Sequence, residues 1–324
     1  MNTLLQIKEP ILDELEEFKV FFDRSLDSSN HLMQGVIEHI KQKNGKMMRP
    51  ILVLLIAKSF GKVEDESIYS AVALELLHTA SLIHDDVVDE SALRRGQPST
   101  NAIYDNKVSV LAGDFFLATC LMEVGKTRNH KIIDLVANLG RKLSEGELLQ
   151  LENTDKLDLT EESYFEVISK KTAALFEACA EIAALSVHAS DNWTRKVKKL
   201  GNLIGLCFQI KDDIFDYYIN SDVGKPTGID MEEGKLTLPI LYALNKVADE
   251  KFKNKAISVK KGTASIDDIE ELIQFAIDRG GIQYAMDTID RFKEEAETII
   301  NELFTGTIRT SLLGYLEYVV KRKL

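Results

Sequence analysis

The sequence predicts an all-α protein, built as a single large helical bundle. Three observations predict it. Apolar residues recur with the 3.6-residue period of amphipathic helices along most of the chain. No run of alternating strand-type residues stands out. Only 5 prolines and 18 glycines punctuate 324 residues, without a repeat, low-complexity segment or disordered linker. With 45% apolar residues the chain can bury a large core. It reads as one domain over residues 1–324.

The period places helices near residues 4–26, 30–43, 47–60, 64–90 and 107–126. Others fit 130–152, 160–187, 192–219 and 236–248, then 266–279, 281–303 and 307–322. Start signals agree: Ser265 precedes Ile266 with Asp268 three positions on, and Thr160 precedes two glutamates. Asn44-Gly45 and Gly280-Gly281 read as stops. Two segments between helices differ. Ser91 to Asn101 is rich in turn formers and carries paired arginines; Ile219 to Lys235 is long for a connection in a compact protein, as lids and binding loops are.

Composition excludes some roles. A net charge of -12, from 40 basic and 52 acidic residues, disfavours nucleic acid as a partner. Cys120, Cys179 and Cys207 are odd in number and scattered through apolar patterns, which argues against disulfides and for a reducing cytoplasm. The apolar runs are shorter than the roughly 20 residues of a membrane span, so no transmembrane segment is expected, and residues 1–10 lack a signal-type apolar core.

Two aspartate clusters carry the chemistry. Asp85, Asp86 and Asp89 follow the apolar stretch 71–83. Residues four apart share a helix face, so Asp85 and Asp89 repel each other unless a cation intervenes. Hard oxygen ligands on one face suit Mg2+, which keeps waters and bridges to phosphates. Asp212, Asp213 and Asp216 repeat that spacing after a second apolar helix. One such motif is weak, since most acidic faces are merely solvated. Two of identical spacing are harder to explain that way. If their helices face each other, six carboxylates converge and can grip a diphosphate through more than one magnesium.

Basic residues suit a second diphosphate. Lys46 and Arg49 sit at a helix start, where backbone N–H groups favour an anion. Arg94 and Arg95 lie just beyond the first cluster, with guanidinium forks that match phosphate oxygens. His78 lies seven residues before Asp85 on nearly the same face; alone it reads as a hydrogen-bonded core histidine.

The ordered set GKxxRP (46–50), H-x6-DDxxD (78–89), RRGxP (94–98), KT (171–172), QxxDDxxD (209–216) and the later GK pairs resembles the trans-type polyprenyl diphosphate synthase family, in particular its long-chain, octaprenyl-type members. The resemblance implies the isoprenoid synthase fold, helices around a deep central cleft, and a homodimer. It implies head-to-tail condensation of isopentenyl diphosphate with an allylic diphosphate, farnesyl or geranylgeranyl, to a medium- or long-chain all-trans product. The implied cofactor is Mg2+, three ions per active site, with Asp85, Asp89 and Asp212 as direct ligands and Asp86, Asp213 and Asp216 completing the shell. Lys46, Arg49, His78 and Arg95 would hold isopentenyl diphosphate. Arg94, Lys171, Lys225 and Lys235 would hold the allylic diphosphate. Thr172 and Gln209 would place oxygens beside the developing cation. The segment with Lys225 and Lys235 would close as a lid, Lys321-Arg322-Lys323 is a candidate second closure, and product release would bring transient membrane contact.

Product length would depend on the wall below Asp85. Ala80 and Ser81 are small where short-product relatives usually carry an aromatic, and Leu77 stands one turn lower. Elongation past geranylgeranyl is expected, with Phe115 and Phe116 as candidate floor residues. Three other readings compete. A terpene cyclase typically has one DDxxD and needs no second diphosphate site. A chain-length-setting subunit of a two-subunit synthase usually loses its aspartates. A metal-binding scaffold would turn over no diphosphate.

Overall fold

The computed structural model describes residues 4–42, 45–94, 96–155, 159–218, 227–247 and 249–322. Among them sixteen α-helices account for nearly all regular structure. In chain order they are α1 Leu4–Lys8, α2 Leu12–Ser25, α3 His31–Gln42, α4 Met48–Lys58, α5 Asp65–Val88, α6 Thr100–Lys126, α7 His130–Asp155 and α8 Glu161–Ile168. There follow α9 Ala174–Ser186, α10 Asp191–Phe215, α11 Ile229–Glu232, α12 Leu238–Lys246, α13 Glu250–Lys260, α14 Ile266–Asp278, α15 Gly281–Leu303 and α16 Gly306–Lys321. The all-α expectation holds.

The chain forms two compact units. The first comprises Met1–Gly140, Leu175–Gly201 and Ile300–Gly314. Its centre is α5, packed on α2, α4 and α6. Every residue of α4 from Pro50 to Ala57 is buried, so the helix is apolar all round rather than amphipathic. Trp193 meets Phe60 edge-on at 4.7 Å and Phe304 at 5.4 Å, anchoring α10. The second unit comprises Arg141–Ala174, Asn202–Ile299 and Tyr315–Leu324. Here α14 packs on α12 and α13, and Phe252 stacks on Phe275 at 3.9 Å.

Local signals explain several ends. Ser265 and Asp268 form the expected capping box on α14. Thr160 caps α8 by accepting from the Ser163 N–H. Gly280 ends α14 at φ +80, where an L side chain would be strained.

A 3-10 turn, Glu9–Ile11, splits the helix expected over 4–26, and the short α11 lies in the segment read as a loop; four further elements depart from the sequence-based reading. A two-residue hairpin, Leu93–Arg94 with Gln97–Pro98, lies where a loop was expected; Gly96, at φ +75, supplies the turn. Helix α6 starts at Thr100 rather than 107, because Asp105, at φ 74, interrupts it without ending it. The helix expected over 160–187 is divided by a π-helical turn, Ser169–Ala173. Helix α13 was not foreseen: its face is thin, with Ala256 and Val259 its buried residues, and its start is Asp249 accepting from the Lys251 N–H.

Helix α6 is long and apolar enough to cross a membrane by length and composition alone, although no apolar run of that length was seen in the sequence. It packs on α5 with Ala112, Gly113, Phe116, Cys120 and Val124 buried. The three cysteines are buried free thiols, each pushed up to about 12 by burial.

Candidate functional site

In the first unit, α5 carries the aspartates at its C-terminal end. Asp85 is half-buried and Asp89 is exposed one turn on, its N–H donating to the Asp85 carbonyl at 2.8 Å. Asp86 turns inward and is 2% exposed. Its Oδ1 accepts from Arg94 Nε at 2.5 Å, and its carbonyl accepts from Asn101 Nδ2 at 3.1 Å. The structure therefore uses Asp86 to tie down the arginine hairpin, and Arg94 faces that carboxylate. His78, Ala80 and Leu77 are buried; Ser81 is half-buried and donates to the His78 carbonyl.

The start of α4 is built for an anion. Met47 precedes it in the left-handed region at φ 55 and offers no side-chain cap. Lys46 is exposed; Arg49 lies 5.3 Å from the Phe176 ring, its buried Nε lacking a hydrogen-bond partner. An orphaned buried guanidinium donor costs free energy unless a ligand satisfies it.

In the second unit a cleft of about 160 Å3 is lined by Lys171, Thr172, Gln209, Asp213, Asp230 and Lys235, among others. Lys171 and Thr172 lie on the π-helical turn, which widens the helix and re-aims its side chains. Lys171 pairs with Glu147 at 2.7 Å, and Lys235 with Glu233 at 2.5 Å. Thr172 Oγ1 donates to Gln209 Oε1 at 2.6 Å, and Gln209 Nε2 donates to Asp213 Oδ1 at 2.7 Å. Tyr164 Oη donates to Asp213 Oδ2 at 2.5 Å. Burial pushes the Asp213 carboxyl well above the usual carboxylate range, against the pull of the Tyr164 and Gln209 hydrogen bonds.

Asp216 accepts from the Ile229 and Asp230 N–H groups, each at 3.0 Å, and so caps α11. Burial raises it too. Asp212 is the most open of the three, with a side chain 43% exposed, and it pairs with Arg322 at 2.5 Å.

Among the described residues no three His, Cys, Asp or Glu side chains form a ready-made metal cage. Asp85 and Asp89 in the first unit, and in the second Asp212, partly exposed beside Arg322, are hard-oxygen donors of the kind that suits Mg2+, which fills its shell with water and substrate phosphate. Asp86, Asp213 and Asp216 have their oxygens engaged within the protein and fit a supporting role.

Arg95 and Lys225 lie outside the described residues. Sequence reasoning missed several members of the site. Asp230 lines the cleft and is pushed up to about 7, by burial and then by Asp216. Its signal was an acidic residue inside the glycine-flanked segment GIDMEEG. Tyr164 and Glu147 gave none, since a tyrosine and a glutamate at helical spacing read as core and surface. Arg322 was seen only as part of a basic terminus; it stacks on Phe208 at 3.8 Å as well as pairing with Asp212.

Comparison with known proteins agrees with this chemistry. The polyprenyl synthetase family model matches residues 30–276. The chain is 35% identical to an octaprenyl diphosphate synthase of Haemophilus influenzae over 82% of its length and 80% of the relative's. A geranylgeranyl pyrophosphate synthase structure from Bacteroides thetaiotaomicron is 52% identical with a TM-score of 0.87, covering 98% of this chain and 99% of that one. A decaprenyl diphosphate synthase from Rhodobacter capsulatus is 31% identical with a TM-score of 0.92, over 98% and 99% of the two chains. The chain belongs to the polyprenyl synthetase family and is a trans-prenyltransferase.

Proposed function

We propose that this enzyme adds isopentenyl diphosphate head-to-tail to farnesyl or geranylgeranyl diphosphate and repeats the step to a medium- or long-chain all-trans product. The observation that carries the reading is the cleft of the second unit. There Lys171 and Lys235 offer positive charge, while Thr172 and Gln209 set two oxygens side by side. Lys171 and Lys235 take the allylic diphosphate. Asp85, Asp89 and Asp212 would supply carboxylate oxygens to bound magnesium, three ions on this reading, and the metal would neutralise the leaving diphosphate.

The C1–O bond of the allylic substrate breaks and its electron pair leaves with the diphosphate. Thr172 Oγ1 and Gln209 Oε1 turn their negative ends to the allylic cation. Arg49 and Lys46 hold isopentenyl diphosphate, and Arg49 Nε gains the partner it lacks. The isopentenyl alkene attacks the cation, a C–C bond forms, and the departing diphosphate accepts the proton released. Purified chain incubated with Mg2+, isopentenyl and farnesyl diphosphates should yield longer diphosphates by mass spectrometry. A volatile hydrocarbon would mean a cyclase; no turnover would leave a scaffold.

One relative, 30% identical over 96% of this chain, is component 2 of a heptaprenyl diphosphate synthase from Bacillus subtilis. That relative favours a second reading, in which this chain works beside another subunit. Activity of the purified chain alone separates the two.

Product length follows from the wall below Asp85. Ala80 is 2% exposed and cannot block a lengthening chain as an aromatic would. Ala80→Phe is expected to move the mass-spectrometric profile toward products shorter by one or more five-carbon units. An unchanged profile removes Ala80 from the wall.

A homodimer is part of the reading. Leu111, Leu117, Leu121 and Met122 on α6 are 37–68% exposed and share one helix side, an apolar stripe apt for a second copy. Leu121→Glu is expected to halve the mass seen by light scattering, from twice 36.4 kDa to 36.4 kDa. An unshifted dimer in that variant places the interface elsewhere. Operation in the cytoplasm, with brief membrane contact for product release, completes the proposal.

A further inference from the structure

Tyr164 lies on α8, 8% exposed, and its hydroxyl is spent on Asp213 Oδ2. The other oxygen of that carboxylate accepts from Gln209 Nε2, and Gln209 Oε1 accepts from Thr172. A glutamine amide has two ends of nearly equal size, and only its hydrogen-bond partners decide which way it faces. With Tyr164 Oη donating to Oδ2, Oδ1 is left as an accepting oxygen and selects the NH2 end of Gln209. The carbonyl end is left beside Thr172 in the cleft wall. The carboxylate itself can turn about its own axis unless both oxygens are held. Tyr164 holds the second one. The neighbouring buried tyrosine, Tyr217, pairs instead with Thr237 Oγ1 at 2.9 Å, so the tie to Asp213 belongs to Tyr164.

We infer that Tyr164 is a positioning residue: through Asp213 it locks the Gln209 amide with its carbonyl oxygen toward Thr172 and the reacting carbon. The inference rests on reading this cleft as the allylic site. With the lock in place, two oxygen dipoles face the developing positive charge. With it released, the amide can rotate and present N–H groups to a cation, which raises the barrier without weakening substrate binding. Asp213 then serves as a relay rather than as a metal ligand.

The test uses the full chain with farnesyl and isopentenyl diphosphates. Tyr164→Phe is expected to lower kcat on the order of tenfold or more while both KM values stay within about threefold. Manganese binding in the presence of inorganic pyrophosphate, read by electron paramagnetic resonance, should match the parent. In a Gln209→Ala background, Tyr164→Phe should cost less than about twofold further, since the lock has nothing left to hold. Should Tyr164→Phe fail to fold, Asp213→Asn breaks the relay at its centre, with the same pattern expected. Parent-like kcat, an equal penalty in both backgrounds, or lost manganese binding overturns the relay while leaving the site reading intact. A parent chain inert toward both diphosphates overturns the site reading, and the relay with it.

Discussion

Asp85→Ala should cut kcat by about a thousandfold or more, a barrier increase of about 4 kcal/mol, while the protein melts at or slightly above the parent temperature. The two halves of that expectation share one cause. Asp85 and Asp89 are like charges one turn apart at the C-terminal end of α5. Their repulsion costs a few tenths of a kcal/mol. A negative charge at a helix C-terminus also opposes the macrodipole. Removing one carboxylate relieves both terms, so stability does not fall. Turnover falls because the leaving diphosphate loses a cation ligand that no neighbour replaces; Asp86 is committed to Arg94. Steady-state kinetics and thermal denaturation on the same sample check both halves. Parent-like turnover would remove the first cluster from the mechanism.

Gly201→Ala should destabilise the protein by about 1–2 kcal/mol, although alanine is the better helix former. A Cβ at Gly201 would stand 2.4 Å from the Phe176 carbonyl oxygen, with Ala180 Cβ and Glu177 Cα each at 2.9 Å. Helix α9 crosses α10 at this point, and the obstacle is backbone, which cannot step aside. Overpacking of this kind costs about 1–3 kcal/mol or more, against roughly 1 kcal/mol gained in propensity. Gly140→Ala makes the matched comparison. Its Cβ would meet only Leu77 Cδ1, at 3.8 Å, an ordinary contact. There propensity decides, and a gain of roughly 0.5–1 kcal/mol is expected. Chemical denaturation of the two variants should move in opposite directions; movement in the same direction would show that the crossing is not as tight as drawn.

Legibility differed from residue to residue for physical reasons. Helix α5 is apolar nearly all round through its middle and α10 is amphipathic, so both read as helices that end near their aspartates. Helix α13 buries little and its lysines obscure the period. The π-helical turn at Lys171-Thr172 inserts an extra residue into a helix whose composition stays helical on both sides, so no local signal reveals it.

Spacing alone paired Asp85 with Asp89 and Asp212 with Asp216, because a helix converts an interval of four residues into a shared face; only the family resemblance singled out Asp212. Chain order and residue type were sufficient for the all-α class and for a diphosphate chemistry. Which aspartates stay open and which are consumed was a tertiary decision. Asp86 meets Arg94, Asp213 meets Tyr164 and Gln209, and Asp216 caps α11; Arg94, Tyr164 and α11 lie on other elements, while Gln209 stands one turn back on α10 itself. Two identical DDxxD strings thus end with differently partnered carboxylates, since a hydrogen bond answers to where atoms meet in space and not to their interval along the chain.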